Sequence, residues 1–443
     1  MVEFRLKEIC DFNKSRIKET NINTIIKYLD TSNLVKGEII ELQEFELKDA
    51  PSRAQRSVSN STILYSLVRP NQCHYGFISN PVKNLVASTG FVTINLKKKF
   101  EELIDIRYVY LLLTQNELIE YLHAVAENSV SSYPSLKPSD IENLSFEFPS
   151  LENQRSITSL FFNISKKITL NREITRNLEA LARQIYDYWF IQFDFPDENG
   201  KPYKSSGGKM IWNEKLKREI PEGWSTCKLK EFIEKKNTGD WGYDEISVDR
   251  IPIKCIRGAD IGKLNDLPNR YIKKSNINKL LKPYDVVIEV SGGSPIQATG
   301  RSAYITPGLL RRNSDKITCS NFCQAFSLKK IESSAFFYFL WNQLYYNNIM
   351  FNYEGKTSGI KNFMTETFLA NNWFYPPESL QSSFFKKIAK SFELIDSNIL
   401  EINLLLLLRD ELLPLLMNGQ ISFKTKWLNC DLYILWIKME LVL

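Results

Sequence analysis

The chain has 443 residues, 43% apolar and 24% charged, enough for two to four domains each with its own core. Seven irregularly spaced cysteines and two histidines supply neither a disulfide framework nor a zinc site, the Cys319/Cys323 pair included. The net charge of +6 is uneven: −2 over residues 1–150 (17 Lys+Arg against 19 Asp+Glu), +2 over 151–215 (10 against 8), +7 over 216–375 (23 against 16) and −1 over 376–443 (7 against 8). A basic 216–375 segment hints at a polyanionic partner, because phosphate neutralisation supplies most non-specific nucleic-acid affinity. A few excess lysines on an ordinary soluble domain leave the same trace.

The opening MVEFRLKEICDFNKSR lacks the apolar core of a signal peptide, so a cytoplasmic home is expected. Two segments, APSRAQRS (50–57) and VRPNQCHYG (68–76), read as loops. They carry Arg53, Arg56, Arg69, Asn71, Gln72 and His74 as candidate polyanion contacts, with His74 equally well a structural histidine. In an acidic segment such contact has to rest on a local cluster. A helix is expected over 106–126, and FPSLENQRSI (148–157) leads into a much longer one. There Ile157, Ile164, Asn171, Leu178 and Ile185 recur every seven residues; Leu160, Ile174, Leu181 and Tyr188 are the expected second stripe, interrupted at Lys167.

Much of this is written twice. KLKEFIEK (228–235) echoes RLKEICDF (5–12), and YPPESLQSSF (375–384) stands 227 residues after FPSLENQRSI. The second long helix places Phe384, Ser391, Asn398, Leu405 and Leu412 at the matching heptad position. A repeat this long signals a duplicated domain rather than a solenoid. An apolar stripe left wet is unfavourable, so the helices should pair with each other. We expect an antiparallel pair with Asn171 opposite Asn398, where a buried polar residue penalises wrong registers. About 33 residues at 1.5 Å each give a rod of roughly 50 Å. The run LLLLLR (404–409) is apolar all round and suggests further helices from a partner.

Between the helices, strands are expected over 284–290, 302–306 and 323–328, and a helix over 334–349. The glycine-containing EVSGGSPIQATGR offers Ser294, Gln297 and Arg301 to a groove, or else turns between two strands without any ligand. Arg311, Arg312 and Lys316, with Lys356 and Lys361 farther on, suit phosphates or form a solvated basic face. The expected fold is α+β: two mixed α/β domains, 1–150 and 216–375, with long helices in 151–215 and 376–421 forming an antiparallel coiled coil. The tail, 422–443, is apolar but interrupted by Asp431, Lys438 and Glu440, too short and charged to span a bilayer.

No catalytic constellation emerges. In NNWFYPPE (371–378) neither Asn nor Asp directly precedes Pro376, so the motif that holds a methylatable base is missing. GGSPIQATGRS (292–302) has the wrong glycine spacing for a phosphate loop and Arg in place of Lys. Neither histidine stands near a plausible nucleophile.

One stretch points to a family. RQIYDYWFIQFDFPDENGKPYKSSGGKMIWNEKLKREIPEGWSTCKLKEF (183–232) closely resembles the central region of specificity (S) subunits of Type I restriction–modification systems. LRDELLPLLMNGQI (408–421) resembles the end of their distal helix, and NLVASTGFVTIN (84–95) and VVIEVSGGSPIQATGR (286–301) resemble segments of their target-recognition domains. The resemblance covers residues 1–421, and the tail departs from it. It implies two domains that each read half of a bipartite double-stranded DNA site. It further implies helices that space those domains and dock two modification subunits, with restriction subunits completing the complex. S-adenosylmethionine, ATP and Mg would be bound by those partners, no cofactor or metal by this chain, and no membrane is involved. The residues alone leave another reading open, a duplicated protein-binding scaffold without DNA specificity.

Overall fold

The computed structural model describes residues 2–17, 23–129, 133–292, 294, 296–357 and 360–420, so the tail at 422–443 lies outside the described residues. Two compact units divide the chain, one formed by residues up to 166 together with those from 406 on, the other by 167–405. Both boundaries fall within the two long helices, Leu151–Tyr186 and Glu378–Met417.

In the first unit, Val2–Arg5 pairs antiparallel with Ser145–Phe148, Val2 opposite Phe148. One sheet has the order Cys10–Phe12, Phe91–Leu96, Thr62–Ser66, Tyr75–Ile78; the other runs Gln43–Glu46, Ile25–Leu29, Leu85–Ser88, Ala54–Ser57. Thr62–Ser66 and Leu85–Ser88 are buried at every position, as strands covered on both faces must be, which is why they lack polar alternation. The helix expected over 106–126 forms as two, Ile106–Leu113 and Asn116–Glu127. At the break the Thr114 hydroxyl turns back to the Tyr110 carbonyl (2.9 Å), a local bond that competes with the helical ladder. Ile63, Tyr65, Val92 and Ile94 share a core with Tyr108, Leu122, Ile157, Phe161 and Leu416.

The second unit repeats the plan. Ser225–Lys228 pairs with Asn372–Tyr375 in the same register, Ser225 opposite Tyr375. The four-stranded order recurs as Ile233–Thr238, Cys323–Leu328, Val286–Glu289, Ser302–Tyr304. A parallel pair recurs too, Arg250–Ile256 with Ile317–Cys319, flanked by Asn269–Lys273. The strands expected over 284–290, 302–306 and 323–328 are present, and the helix expected over 334–349 runs Ser334–Tyr346. Its core is aromatic: Phe190, Phe336, Phe337, Trp341, Phe374 and Phe384 are all buried.

Both long helices start on one device 227 residues apart. The buried Gln154 and Gln381 amides donate to the carbonyls of Pro149 and Pro376, each at 2.8 Å, holding the first turn. Glu378–Met417 ends at Gly419, whose φ of +67° closes the last turn through Gln420 N–H and the Leu415 carbonyl (2.9 Å). Within the second unit Lys167 and Asn171 reach Glu401, while Tyr186 and Trp189 reach Phe384. Numbers rise along one helix as they fall along the other, so the pair is antiparallel, as expected.

Two details of the seam are corrected. Asn171 is buried and donates to Glu401 Oε2 (2.7 Å), not to Asn398, which is half-buried one turn away on the same helix as Glu401. Of the expected second stripe Leu160 packs half-buried against the first unit's core, but Ile174, Leu181 and Tyr188 are exposed. Phe161, Ile168, Ala182 and Trp189 are buried, four residues after Ile157, Ile164, Leu178 and Ile185 rather than three, and Thr175, the same step after Asn171, is half-buried. The run at 404–409 turns Leu405 and Leu408 inward and exposes Leu407.

Candidate nucleic-acid interface

In the second unit the strand Val286–Glu289 is buried throughout and leads into the glycine-containing loop. At its end the buried Glu289 carboxylate takes two bonds from Arg301, Nε and Nη2 each at 2.8 Å. That bidentate fork keeps the guanidinium charged and pushes its pKa up. Across the loop, Glu354 accepts from Thr299 N–H (2.7 Å) and lies 3.1 Å from Lys361 Nζ. Lys361 also reaches the Gln297 carbonyl (3.4 Å) and sits over the Phe351 ring. Arg301 and Lys361, chosen as DNA contacts, are thus each tied to an internal carboxylate. They clamp both ends of the loop, and preorganised loops lose less entropy on binding. Gln297 and Ile296 face solvent beyond the clamps, and the Ser294 hydroxyl accepts from Gln297 N–H (3.2 Å). Lys356 lies in the strand Glu354–Thr357.

The short helix Pro307–Arg312 is capped by the Thr306 hydroxyl, which accepts from Leu309 N–H (3.1 Å). Arg312, expected to meet phosphate, is held instead by Asp396 of the second long helix at 2.6 Å, both side chains nearly buried. Asp396 also accepts from Gly308 N–H (3.1 Å), and a Cβ at position 308 would collide with that carboxylate. This is a structural tie within the unit. Arg311 and Lys316 stay exposed.

In the first unit Arg69 starts a short turn in the left-handed region (φ 46°), with Asn71 and Gln72 exposed at its tip. His74 Nδ1 lies 2.9 Å from the Leu34 carbonyl and Nε2 lies 3.1 Å from the Gln72 amide, so it is a satisfied structural histidine that also steadies Gln72. Arg53 is exposed just before the strand Ala54–Ser57, and Arg56 is half-buried within it. Sequence reasoning missed Glu289, Glu354 and Asp396, the acids that occupy three of the chosen cations. Glu289 and Glu354 are signalled only as acids in the basic 216–375 segment, and Asp396, in the acidic 376–443 segment, carries no such signal. Among the described residues no group of three or more His, Cys, Asp or Glu side chains is placed to hold a metal, and no helix is long and apolar enough to cross a membrane.

Residues 1–180 match the Type I restriction modification DNA specificity domain. The Type I restriction enzyme HindI specificity subunit of Haemophilus influenzae is 24% identical, covering 92% of this chain and 97% of the relative. The chain is thus similar to the type I specificity subunits. A second such subunit, of the MjaIX enzyme of Methanocaldococcus jannaschii, is 22% identical over 84% of this chain and 83% of its own. The crystal structure of the Type I restriction–modification system S subunit from M. genitalium shares the fold, with a TM-score of 0.57, 17% identity, and coverage of 94% and 95% of the two chains. The specificity-subunit fold thus extends well past residue 180, through the second unit.

Proposed function

We propose that this chain is the DNA-specificity subunit of a Type I restriction–modification complex, a protein without catalysis of its own that works in the cytoplasm. Each unit reads one half of a bipartite duplex site. The observation that carries this reading is the duplication at the level of strand register, Val2 opposite Phe148 and Ser225 opposite Tyr375, with a matching four-stranded sheet in each unit. Two copies of one reader suit a target of two specified halves. The exposed tips, Arg69, Asn71 and Gln72 in one unit and Gln297, Arg311 and Lys316 in the other, supply both base-edge and phosphate chemistry.

Modification and restriction subunits are the protein partners in this reading, and they bring S-adenosylmethionine, ATP and Mg. Leu170, Ile174, Leu181 and Tyr188 form an exposed apolar ridge along the first long helix, and Leu394 and Leu400 are exposed on the second. Such ridges suit a helical partner, and we assign them to the modification subunits. Binding of the complex to duplex DNA across a range of KCl tests the reading against a scaffold that binds only proteins. Six phosphate contacts predict a log–log slope of about −5, whereas salt-independent or absent binding contradicts DNA recognition.

A further inference from the structure

The first unit is acidic over residues 1–150, yet within it residues 51–100 carry seven Lys and Arg and neither Asp nor Glu. Arg56 belongs to this stretch. It lies on the edge strand Ala54–Ser57, directly opposite Arg16 in an antiparallel bridge closed by Ile17 N–H to the Gln55 carbonyl and Ser57 N–H to the Ser15 carbonyl, each 3.2 Å. Residues opposed in this way project from one face about 4.5–5.5 Å apart, and like charges there repel. On its other side Arg56 is aligned with Ala87, which is aligned with Leu29, both fully buried. The arginine therefore stands at the margin of a core-facing row, and its buried Nε–H has no hydrogen-bond partner. Burial and the neighbouring Arg16 charge both push its pKa down.

An unsatisfied buried donor and a like-charged cross-strand pair are each unfavourable, and an anion held between the two guanidinium groups relieves both. Arg301 and Arg312 of the second unit, and Arg107 of the first, each meet a carboxylate, whereas Arg56 is set against a second arginine. We propose that Arg16 and Arg56 form a phosphodiester clamp by which the first unit grips the backbone beside its half of the duplex site. This rests on the specificity-subunit reading and names the residues that position the DNA rather than read it. An inward-pointing charge on an edge strand also discourages strand pairing between molecules, a role that needs no ligand.

The test uses the complex with its modification subunit and a duplex carrying the methylated site. Binding is measured against KCl for the parent, Arg16→Gln and Arg56→Met, with melting temperature and methylated motif followed in parallel. Each substitution is expected to flatten the log–log slope by about 0.9 and weaken binding at 0.15 M salt about fivefold. The methylated motif stays the same, because phosphate contacts position without specifying. Arg56→Met melts no lower than the parent, since it removes the repulsion and the orphaned donor. Parent-like slopes in both variants, with or without aggregation, overturn the clamp, as does weaker binding that only follows a lower melting temperature. A parent complex that binds no duplex overturns instead the DNA reading beneath it.

Discussion

In the second unit, at +7 over residues 216–375, Arg301, Arg312 and Lys361 each face a carboxylate; in the first, at −2 over residues 1–150, Arg16 and Arg56 face each other. Net charge therefore misstates how many cations each unit has free for a ligand. The basic unit uses several of its cations to hold a loop and a short helix in place. The acidic unit has no Asp or Glu over residues 51–100, the stretch that includes the edge strand of Arg56. For polyanion recognition, the charges left without internal partners matter more than the sum.

The largest effect should come from breaking the internal ties of the second unit. Asp396→Ala leaves the Arg312 charge and Gly308 N–H without their acceptor, and chemical denaturation is expected to show a loss of about 3–5 kcal/mol. Glu289→Ala is next. It frees the loop end, with an expected loss of about 1.5–3 kcal/mol and weaker DNA binding at an unchanged salt slope. A changed slope would mean that Arg301 touches phosphate after all. At the seam, Asn171→Leu removes a donor from Glu401 and should cost about 1 kcal/mol, whereas Asn171→Leu with Glu401→Leu should restore or exceed the parent stability. The smallest stability changes are expected for Arg311→Ala and Lys316→Ala, within about 0.5 kcal/mol. Their salt slopes should nonetheless flatten by about 0.9 for each phosphate that the removed charge had neutralised.

The duplication was legible because the Gln154 and Gln381 anchors and the paired strand segments recur in sequence as well as in space. The antiparallel helix pair followed from the need to cover two apolar stripes. Which residues complete the seam did not follow, because a 3.6-residue period allows either the third or the fourth position after each first-stripe residue. Ile174 and Leu181 are at least as apolar as Ile168 and Ala182, yet the first two are exposed and the last two buried. The exposure of Asn71, Gln72, Gln297, Arg311 and Lys316 was legible. The ties of Arg301 and Arg312 were not, because their acids lie 12 and 84 residues away and meet them only once the unit has folded. Arg16 escaped notice because its meaning depends on the strand lying opposite.

The most direct test of two readers on one chain is a map of methylated bases in a host genome that carries this system, compared with the Asn71→Ala/Gln72→Ala variant. The account predicts two short specified halves with an unspecified gap of fixed length, and a variant whose motif changes in one half only. One uninterrupted motif, or a variant in which both halves change together, would contradict it.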